Sequence, residues 1–91
     1  MIHTPTIPSH FKHGEHIIIK VSDPFGNIIL FKLYPDVPLK ILCIYFANRV
    51  GIDDSDLRIY LRGRQIEWND TPRRLKWTNN DIFQIVCALF G

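Results

Sequence analysis

Residues 16–34 read HIIIKVSDPFGNIILFKLY. β-Branched and aromatic residues fill both halves of this stretch, and Ile17, Ile19 and Val21 alternate with their neighbours at the period of two that is typical of a strand. The residues at 23–27 between the halves are turn formers, because proline fixes φ and glycine or asparagine tolerates a positive φ. The stretch therefore predicts a β-hairpin, with strands over 17–21 and 28–34.

One long helix is predicted after the hairpin. Pro38 suits a first helical position, because its missing amide hydrogen would be unpaired there, and Gly51 suits the left-handed turn that ends a helix. Further strands are predicted over 57–62, 64–66 and 82–90, with a short helical turn over 71–75. The order ββαββ, helical turn, β predicts an α+β domain in which one helix covers one face of a mixed sheet.

The length and composition suit a single folded domain. The chain has 91 residues, of which 46% are hydrophobic and 22% charged, unlike a disordered chain. No apolar run approaches the roughly 20 residues of a membrane span and no signal peptide is recognised, so we expect an intracellular protein of the nucleus or cytoplasm without membrane contact. Residues 1–14 hold prolines and histidines without an apolar period. We interpret them as a flexible leader before a domain of residues 15–91.

A series of spaced residues runs through this domain and identifies a resemblance. The series consists of Ile17 to Val21, Phe31-Lys32-Leu33, Leu39, Leu42, Arg49 with Gly51, Leu57-Arg58, Gly63 with Ile66, Asp70-Thr71-Pro72 with Leu75, and Asp81-Ile82. In this order and spacing it resembles SUMO, the small ubiquitin-like modifier, of the ubiquitin superfamily. The resemblance implies a ubiquitin-like β-grasp fold with no catalytic residues. It also implies that the partners are proteins, either proteins of SUMO pathways or other ligands that bind as extended peptides.

The resemblance also implies a peptide-binding groove between the second hairpin strand and the helix, where an extended hydrophobic motif adds as an extra strand. We call this the strand–helix groove. Its residues here are Leu30, Phe31, Lys32, Leu33, Leu42, Phe46 and Arg49. Leu33, Leu42 and Phe46 are expected in the core of any β-grasp protein, whereas Lys32 and Arg49 are distinctive.

A second binding surface is predicted from the helix. At 100° per residue, Ile41, Ile44 and Tyr45 lie away from the stripe that begins at Leu39, with Asn48 among them. We call Ile41, Ile44, Tyr45 and Asn48 the outer helix face. Large apolar residues there indicate a protein-binding or self-association face, and self-association through it would give a homodimer. The alternatives are scattered surface hydrophobic residues and a face covered by the leader.

The C-terminal residues depart from the SUMO pattern. A conjugated SUMO ends in a polar segment and Gly-Gly, whereas residues 85–91 are almost wholly apolar and end on a single glycine, Gly91. We therefore expect a non-catalytic interaction module that is not conjugated. The alternative is a divergent modifier that is attached to its targets through Gly91.

Basic residues cluster between positions 57 and 76. This segment contains six basic and two acidic residues, and the whole chain has a net charge of +2. We call Arg58, Arg62, Arg64, Arg73 and Arg74 the basic surface. It suggests weak nucleic-acid binding as a second alternative, although the chain is only slightly positive and has no RNA-binding signature. Arg62 also stands where SUMO has an acid for its conjugating enzyme, so docking of that enzyme is not expected.

Neither catalysis, a cofactor nor a metal is expected. The sequence has no glycine-rich phosphate loop and no nucleophile beside a base, and Cys43 and Cys87 sit among apolar residues, as reduced core thiols do. His10, His13 and His16 recur every three residues, but the neighbouring proline and glycine favour a solvated arm over a metal site.

Overall fold

The computed structural model describes residues 1–11 and 14–90, without the side chain of Phe90. Strands and one α-helix follow each other along this part of the chain. They are β1 (Ile2–His3), β2 (Ile17–Ser22), β3 (Ile28–Leu33), α1 (Lys40–Val50), β4 (Leu57–Leu61), β5 (Arg64–Gln65) and β6 (Ile82–Cys87). Short 3-10 helices lie at Ser9–Phe11, Asp54–Asp56 and Ala88–Phe90.

The strands form one mixed sheet in the order β1-β3-β2-β6-β4-β5. β2 is antiparallel to β3, with Ile19 opposite Phe31, and parallel to β6, with Val21 opposite Phe83. β6 is antiparallel to β4, which is antiparallel to β5. The hairpin and the last long strand therefore meet at the centre of the sheet. The predicted architecture, one helix on a mixed sheet in an α+β domain, is confirmed.

Asp23 organises the turn that joins β2 and β3. Its Oδ1 atom accepts hydrogen bonds from the backbone amides of Phe25 at 2.9 Å and Asn27 at 2.8 Å. Gly26 has a φ of 86°, a conformation that costs glycine little. The aspartate thus pairs backbone amides that the turn would otherwise leave to water, and the predicted hairpin forms around it.

The ends of α1 are set by different contacts. At the C-terminal end, Gly51 has a φ of 78° and its amide donates to the carbonyl of Ala47 at 2.8 Å, as predicted for a glycine cap. At the other end, the helix begins at Lys40, two residues after the predicted start at Pro38. The Leu39 amide donates to the Asp70 carbonyl at 2.8 Å, so tertiary hydrogen bonding fixes where the first turn begins.

The core lies between α1 and the inner face of the sheet. From the helix, Leu42, Cys43, Phe46 and Ala47 are buried. The strands contribute alternating buried residues, which are Ile19, Val21, Phe31, Leu33, Leu57, Ile59, Leu61, Phe83, Ile85 and Cys87. This buried cluster extends from Ile19 to Cys87, and the leader residues Ile7 and Phe11 pack only against its surface. The buried cluster is thus formed by residues from Ile19 onward.

Three further segments differ from the sequence prediction. β6 ends at Cys87 rather than at 90, because the chain turns into the 3-10 helix Ala88–Phe90. The predicted helical turn is a run of turns in which the Leu75 amide donates to the Thr71 carbonyl at 3.0 Å. The leader differs most. Residues 1–11, expected to be flexible, lie on the domain and contribute β1 to the sheet. Within the described residues, no helix has both the length and the hydrophobicity needed to cross a bilayer.

Adjacent isoleucines on β2 test the assigned faces of the sheet. Ile19 is fully buried and Ile18 is 45% exposed. We expect Ile19→Ala to lower the free energy of unfolding by about 2–5 kcal/mol, because it leaves a cavity. Ile18→Ala is the matched control and should cost about 1 kcal/mol or less. Urea denaturation of both variants measures the difference, and equal losses would contradict the assigned register.

Candidate functional site

The residues of the strand–helix groove divide between core and surface. Phe31, Leu33, Leu42 and Phe46 belong to the buried core, as anticipated for three of them. Leu30 is half-buried, and Lys32 and Arg49 are exposed. Because side chains alternate along β3, Phe31 points toward the helix, whereas Leu30 and Lys32 lie on the other face of the sheet. The accessible part of the groove is therefore the edge of β3 and its flanking charges.

The outer helix face is not a single exposed patch. Ile44 and Asn48 are exposed, but Ile41 and Tyr45 are partly buried and pack against the core. Tyr45 was expected to face water, but its ring packs against Phe31. The two ring centroids are 5.3 Å apart and the angle between the ring planes is 89°. The reason is helical geometry. Tyr45 is only about 60° from the buried Leu42 around the helix, so it occupies the flank beside β3.

The leader occupies the edge of β3. β1 pairs with β3 in parallel, with Ile2 opposite Leu30 and His3 opposite Phe31. Paired residues in a sheet project to the same face, so His3 points toward the helix with Phe31, and Ile2 lies on the outer side with Leu30. The strand–helix groove therefore already holds an added strand, and that strand comes from the same chain.

Three rings meet where the leader enters the groove. The centroid of the His3 ring is 5.6 Å from that of Phe31 and 5.6 Å from that of Tyr45. A hydrogen bond of 2.6 Å joins Nδ1 of His3 to the Tyr45 hydroxyl. The edge-on contacts of Tyr45 with His3 and with Phe31 are favourable, and the hydrogen bond pairs two polar atoms that are partly removed from water. His3 thus connects the groove with the outer helix face.

The leader continues from the groove along the helix. Pro5 is buried, and Ile7 and Phe11 are partly buried against the core. A hollow of about 270 Å³ lies between the leader and the start of α1. Its lining is mostly apolar and comprises Thr6, Pro8, Phe11, Val37, Pro38, Lys40, Ile41 and Ile44. The exposed Ile44 and the partly buried Ile41 are therefore bordered by the leader, in line with the alternative of a face covered by the leader.

His3 and Pro5 are the site residues that the sequence reasoning missed. A strand of two residues is too short to show a period, and prolines at positions 5 and 8 interrupt the β-branched residues around it. The available signal was indirect. Isolated apolar residues at Ile2, Ile7 and Phe11 interrupt a polar leader, while the helix carries large apolar side chains that need cover.

Most arginines of the basic surface have partners within the described chain. Arg62 forms a bidentate pair with Asp81, with Nε to Oδ1 at 2.9 Å and Nη2 to Oδ2 at 2.6 Å. Arg73 donates to Asp36 at 2.7 Å, and Arg58 donates to the carbonyl of Ser55 at 2.6 Å. The remaining members of the set, Arg64 and Arg74, are exposed on separate segments and form no ion pair in the described part of the chain. The arginines thus do not form one free cationic face.

Asp81 is held as an anion by its neighbours. The hydrogen bond from Arg62 lowers the pKa of Asp81, burial opposes this, and the backbone amide of Thr78 lowers it further through a 2.8 Å bond. A paired, hydrogen-bonded carboxylate favours its charged form. This acid, which matched the SUMO pattern, therefore anchors the turn before β6.

Both cysteines of the chain lie within the described residues and are buried. Burial raises the pKa of the Cys43 thiol to about 12, so the thiol is protonated at neutral pH and a weak nucleophile. Cys87 is also buried as a free thiol. No cluster of metal-binding side chains occurs within residues 1–11 and 14–90. His13, which belongs to the histidine series, lies outside the described residues, as does Gly91.

Comparisons with known proteins agree on the fold. No family model matches the chain. Small ubiquitin-related modifier 2 of Homo sapiens is 27% identical over 74 residues, which are 81% of this chain and 78% of that protein, and modifier 2-A of Xenopus laevis matches equally well. Caldiarchaeum subterraneum ubiquitin superposes with a TM-score of 0.68 at 16% identity, over 79% of this chain and 92% of the other. The chain is a SUMO/ubiquitin-like domain.

The SUMO resemblance and the β-grasp fold are thereby confirmed. A chain of a pParkin–pUb–UbcH7 complex shares the fold of this SUMO/ubiquitin-like domain, with a TM-score of 0.69 at 16% identity over 81% of this chain and 23% of that one. The curated relatives are modifiers by name. The SUMO/ubiquitin-like domain thus presents a known scaffold, with a leader strand on its β3 edge.

The Arg62–Asp81 pair predicts a specific dependence of stability on pH. Because the pKa of Asp81 is lowered in the folded state, the unfolded chain binds more protons in the acid range. The contribution is fully present above the ordinary pKa of 3.8 and is lost as the pH falls through the lowered value. We expect Asp81→Asn to cost about 1–2 kcal/mol at neutral pH, with the difference from the wild type closing in acid.

Urea denaturation at neutral and acidic pH measures this difference. Glu67→Gln is the control, since it removes an equivalent charge from an exposed side chain. A difference between Asp81→Asn and the wild type that stays constant with pH would contradict the assigned role of Asp81.

Proposed function

We propose that this SUMO/ubiquitin-like domain is a non-catalytic interaction module that binds an extended segment of a partner protein along the edge of β3. The groups that bind are the backbone of β3 and the side chains of the strand–helix groove. The outer helix face contributes Tyr45 and the partly buried Ile41 at the border of the same site. The partner chain adds to the sheet as a strand, which is a general mode of peptide recognition.

The observation that carries this proposal is the pairing of Ile2–His3 with β3. Without β1, β3 would be an edge strand with a row of unpaired backbone amides and carbonyls. An extended segment can satisfy those groups whatever its sequence. Specificity then comes from the side chains that point between Phe31 and Tyr45. The added strand in this chain supports a groove that accepts strands.

The charges around the groove favour an acidic partner. Lys32 is exposed on β3, Arg49 is exposed in the last turn of α1, and Lys40 is exposed in the first turn. Cations around an apolar site attract a ligand whose apolar residues are flanked by acids and repel one flanked by bases. We therefore propose an extended apolar motif beside glutamate, aspartate or phosphorylated residues.

A titration of the isotope-labelled full chain tests this proposal. The probe is a synthetic peptide with a run of valine and isoleucine followed by a run of glutamate, carried to about 1 mM. We expect amide chemical shifts to change at Leu30 to Leu33 and around Tyr45. The double variant Lys32→Glu with Arg49→Glu should bind about tenfold more weakly, because two attractions become repulsions.

The control is Arg64→Glu, which reverses an exposed charge in β5, at the opposite edge of the sheet. Its affinity should stay within about twofold of the wild type. Shift changes confined to the β4–β5 side of the sheet, or an equal loss of affinity in both variants, would contradict the proposed groove.

A second candidate function is conjugation through Gly91. It is favoured by the curated relatives, which are modifiers by name. Incubation with a SUMO-activating enzyme and ATP tests this candidate, because an activated modifier forms a thioester at its terminal glycine. A thioester at Gly91 would replace the interaction module as the primary function, and an unreacted chain would exclude this candidate for that enzyme.

Nucleic-acid binding and homodimer formation have less support. Among the described residues of the basic surface, only the side chains of Arg64 and Arg74 lie outside ion pairs and side-chain hydrogen bonds, so fewer cations are available for phosphates than the sequence indicated. The helix face proposed for self-association is bordered by the leader and retains Ile44 as its exposed apolar residue, at 39%.

A further inference from the structure

The leader combines features of a bound ligand. Its residues alternate between contact and exposure, since His3 and Pro5 are withdrawn from solvent while Thr4 and Thr6 are exposed. The contacts are chemically distinct. β1 supplies backbone pairing, His3 supplies a ring and a hydrogen bond to Tyr45, and Pro5 supplies buried apolar surface. Alternation of this kind is what an added strand shows when one face enters a groove.

Backbone pairing at β3 is exclusive. Each amide and carbonyl on the outer edge of β3 can pair with one neighbouring strand, and β1 lies there opposite Leu30 and Phe31. The His3 ring also fills the position between Phe31 and Tyr45 that the leading side chain of a partner would need. A partner strand and the leader therefore cannot occupy this part of the groove together.

We propose that residues 1–11 are a ligand of the strand–helix groove held in cis, so that a partner segment binds only by displacing them. The inference rests on the proposed function, because it concerns regulation of the same groove. The partner it selects has an extended segment that runs parallel to β3 and places a ring or large apolar side chain between Phe31 and Tyr45. The leader thus competes with the partner segment, and its contacts are the ones that we expect a partner segment to make.

The length of the segment that joins β1 to β2 determines how strongly the leader competes with a partner segment for the groove. Residues 4–16 join β1 to β2, and a short linker gives a tethered segment an effective concentration on the order of 1 mM. A leader with an intrinsic dissociation constant of about 0.1 mM would then lower the apparent affinity of a partner about tenfold. Changes in the leader alone should restore that affinity, because they leave the groove unaltered.

Two adjacent leader residues give a matched pair of full-length variants. Pro5→Asp places a charge at a buried position, and Thr4→Asp places the same charge at an exposed one. With the valine–isoleucine–glutamate peptide as the probe, Pro5→Asp should bind about tenfold more tightly than the wild type. Thr4→Asp should stay within about twofold. His3→Ala, which removes the ring and its hydrogen bond, should change affinity in the same direction as Pro5→Asp.

A peptide with the sequence of residues 1–11 provides a second probe. Added to the Pro5→Asp chain, it should shift the amide signals of Phe31 and Tyr45, and it should shift them far less in the wild type, where the groove is filled. The experiment distinguishes failure of this inference from failure of the proposed function. Equal binding of the valine–isoleucine–glutamate peptide to wild type and Pro5→Asp would overturn the inference and leave the proposed function standing. Absence of that peptide from the groove in both chains would overturn the proposed function itself.

Discussion

The packing of α1 against the inner face of the sheet is the contact on which the rest of the structure depends. One helix covers a whole sheet face, so its buried residues, with Leu42 and Phe46 at their centre, are committed to the core. The helix flank then falls beside β3, and Tyr45 stands against Phe31. The groove is therefore a product of core packing. Its walls are a strand edge and a helix flank, and neither can move without disturbing the interior.

Without the leader, the outer edge of β3 would present unpaired backbone amides and carbonyls to solvent. Unpaired strand edges recruit other chains, and folded proteins pair or cover them. Here the leader does so, with two residues of backbone pairing and the ring of His3. Such a short strand has few hydrogen bonds, and it covers the edge without adding to the core cluster. A cover of that kind protects the edge while leaving it open to a competing strand.

The sequence predicted the parts of the molecule whose conformation depends on interactions between residues close together in the chain. The hairpin followed from alternation around the Asp23 turn, and the glycine cap followed from the left-handed conformation of Gly51. The start of α1 was missed by two residues, because a hydrogen bond from Leu39 to Asp70 fixes it across the fold. The site was predicted only in outline. Lys32 and Phe31 were named, but the docking of His3 joins residues that are far apart in sequence, and a local sequence pattern cannot report such a contact.

The central claim is that the leader lies in the strand–helix groove, and one solution measurement tests it most directly. Proton–proton nuclear Overhauser effects report pairs of atoms only a few ångströms apart, and the rings of His3, Phe31 and Tyr45 are that close in the structure. In the full chain, we expect cross-peaks from the His3 ring to the rings of both Phe31 and Tyr45. Cross-peaks from His3 to its sequence neighbours alone, in a folded chain, would contradict the account.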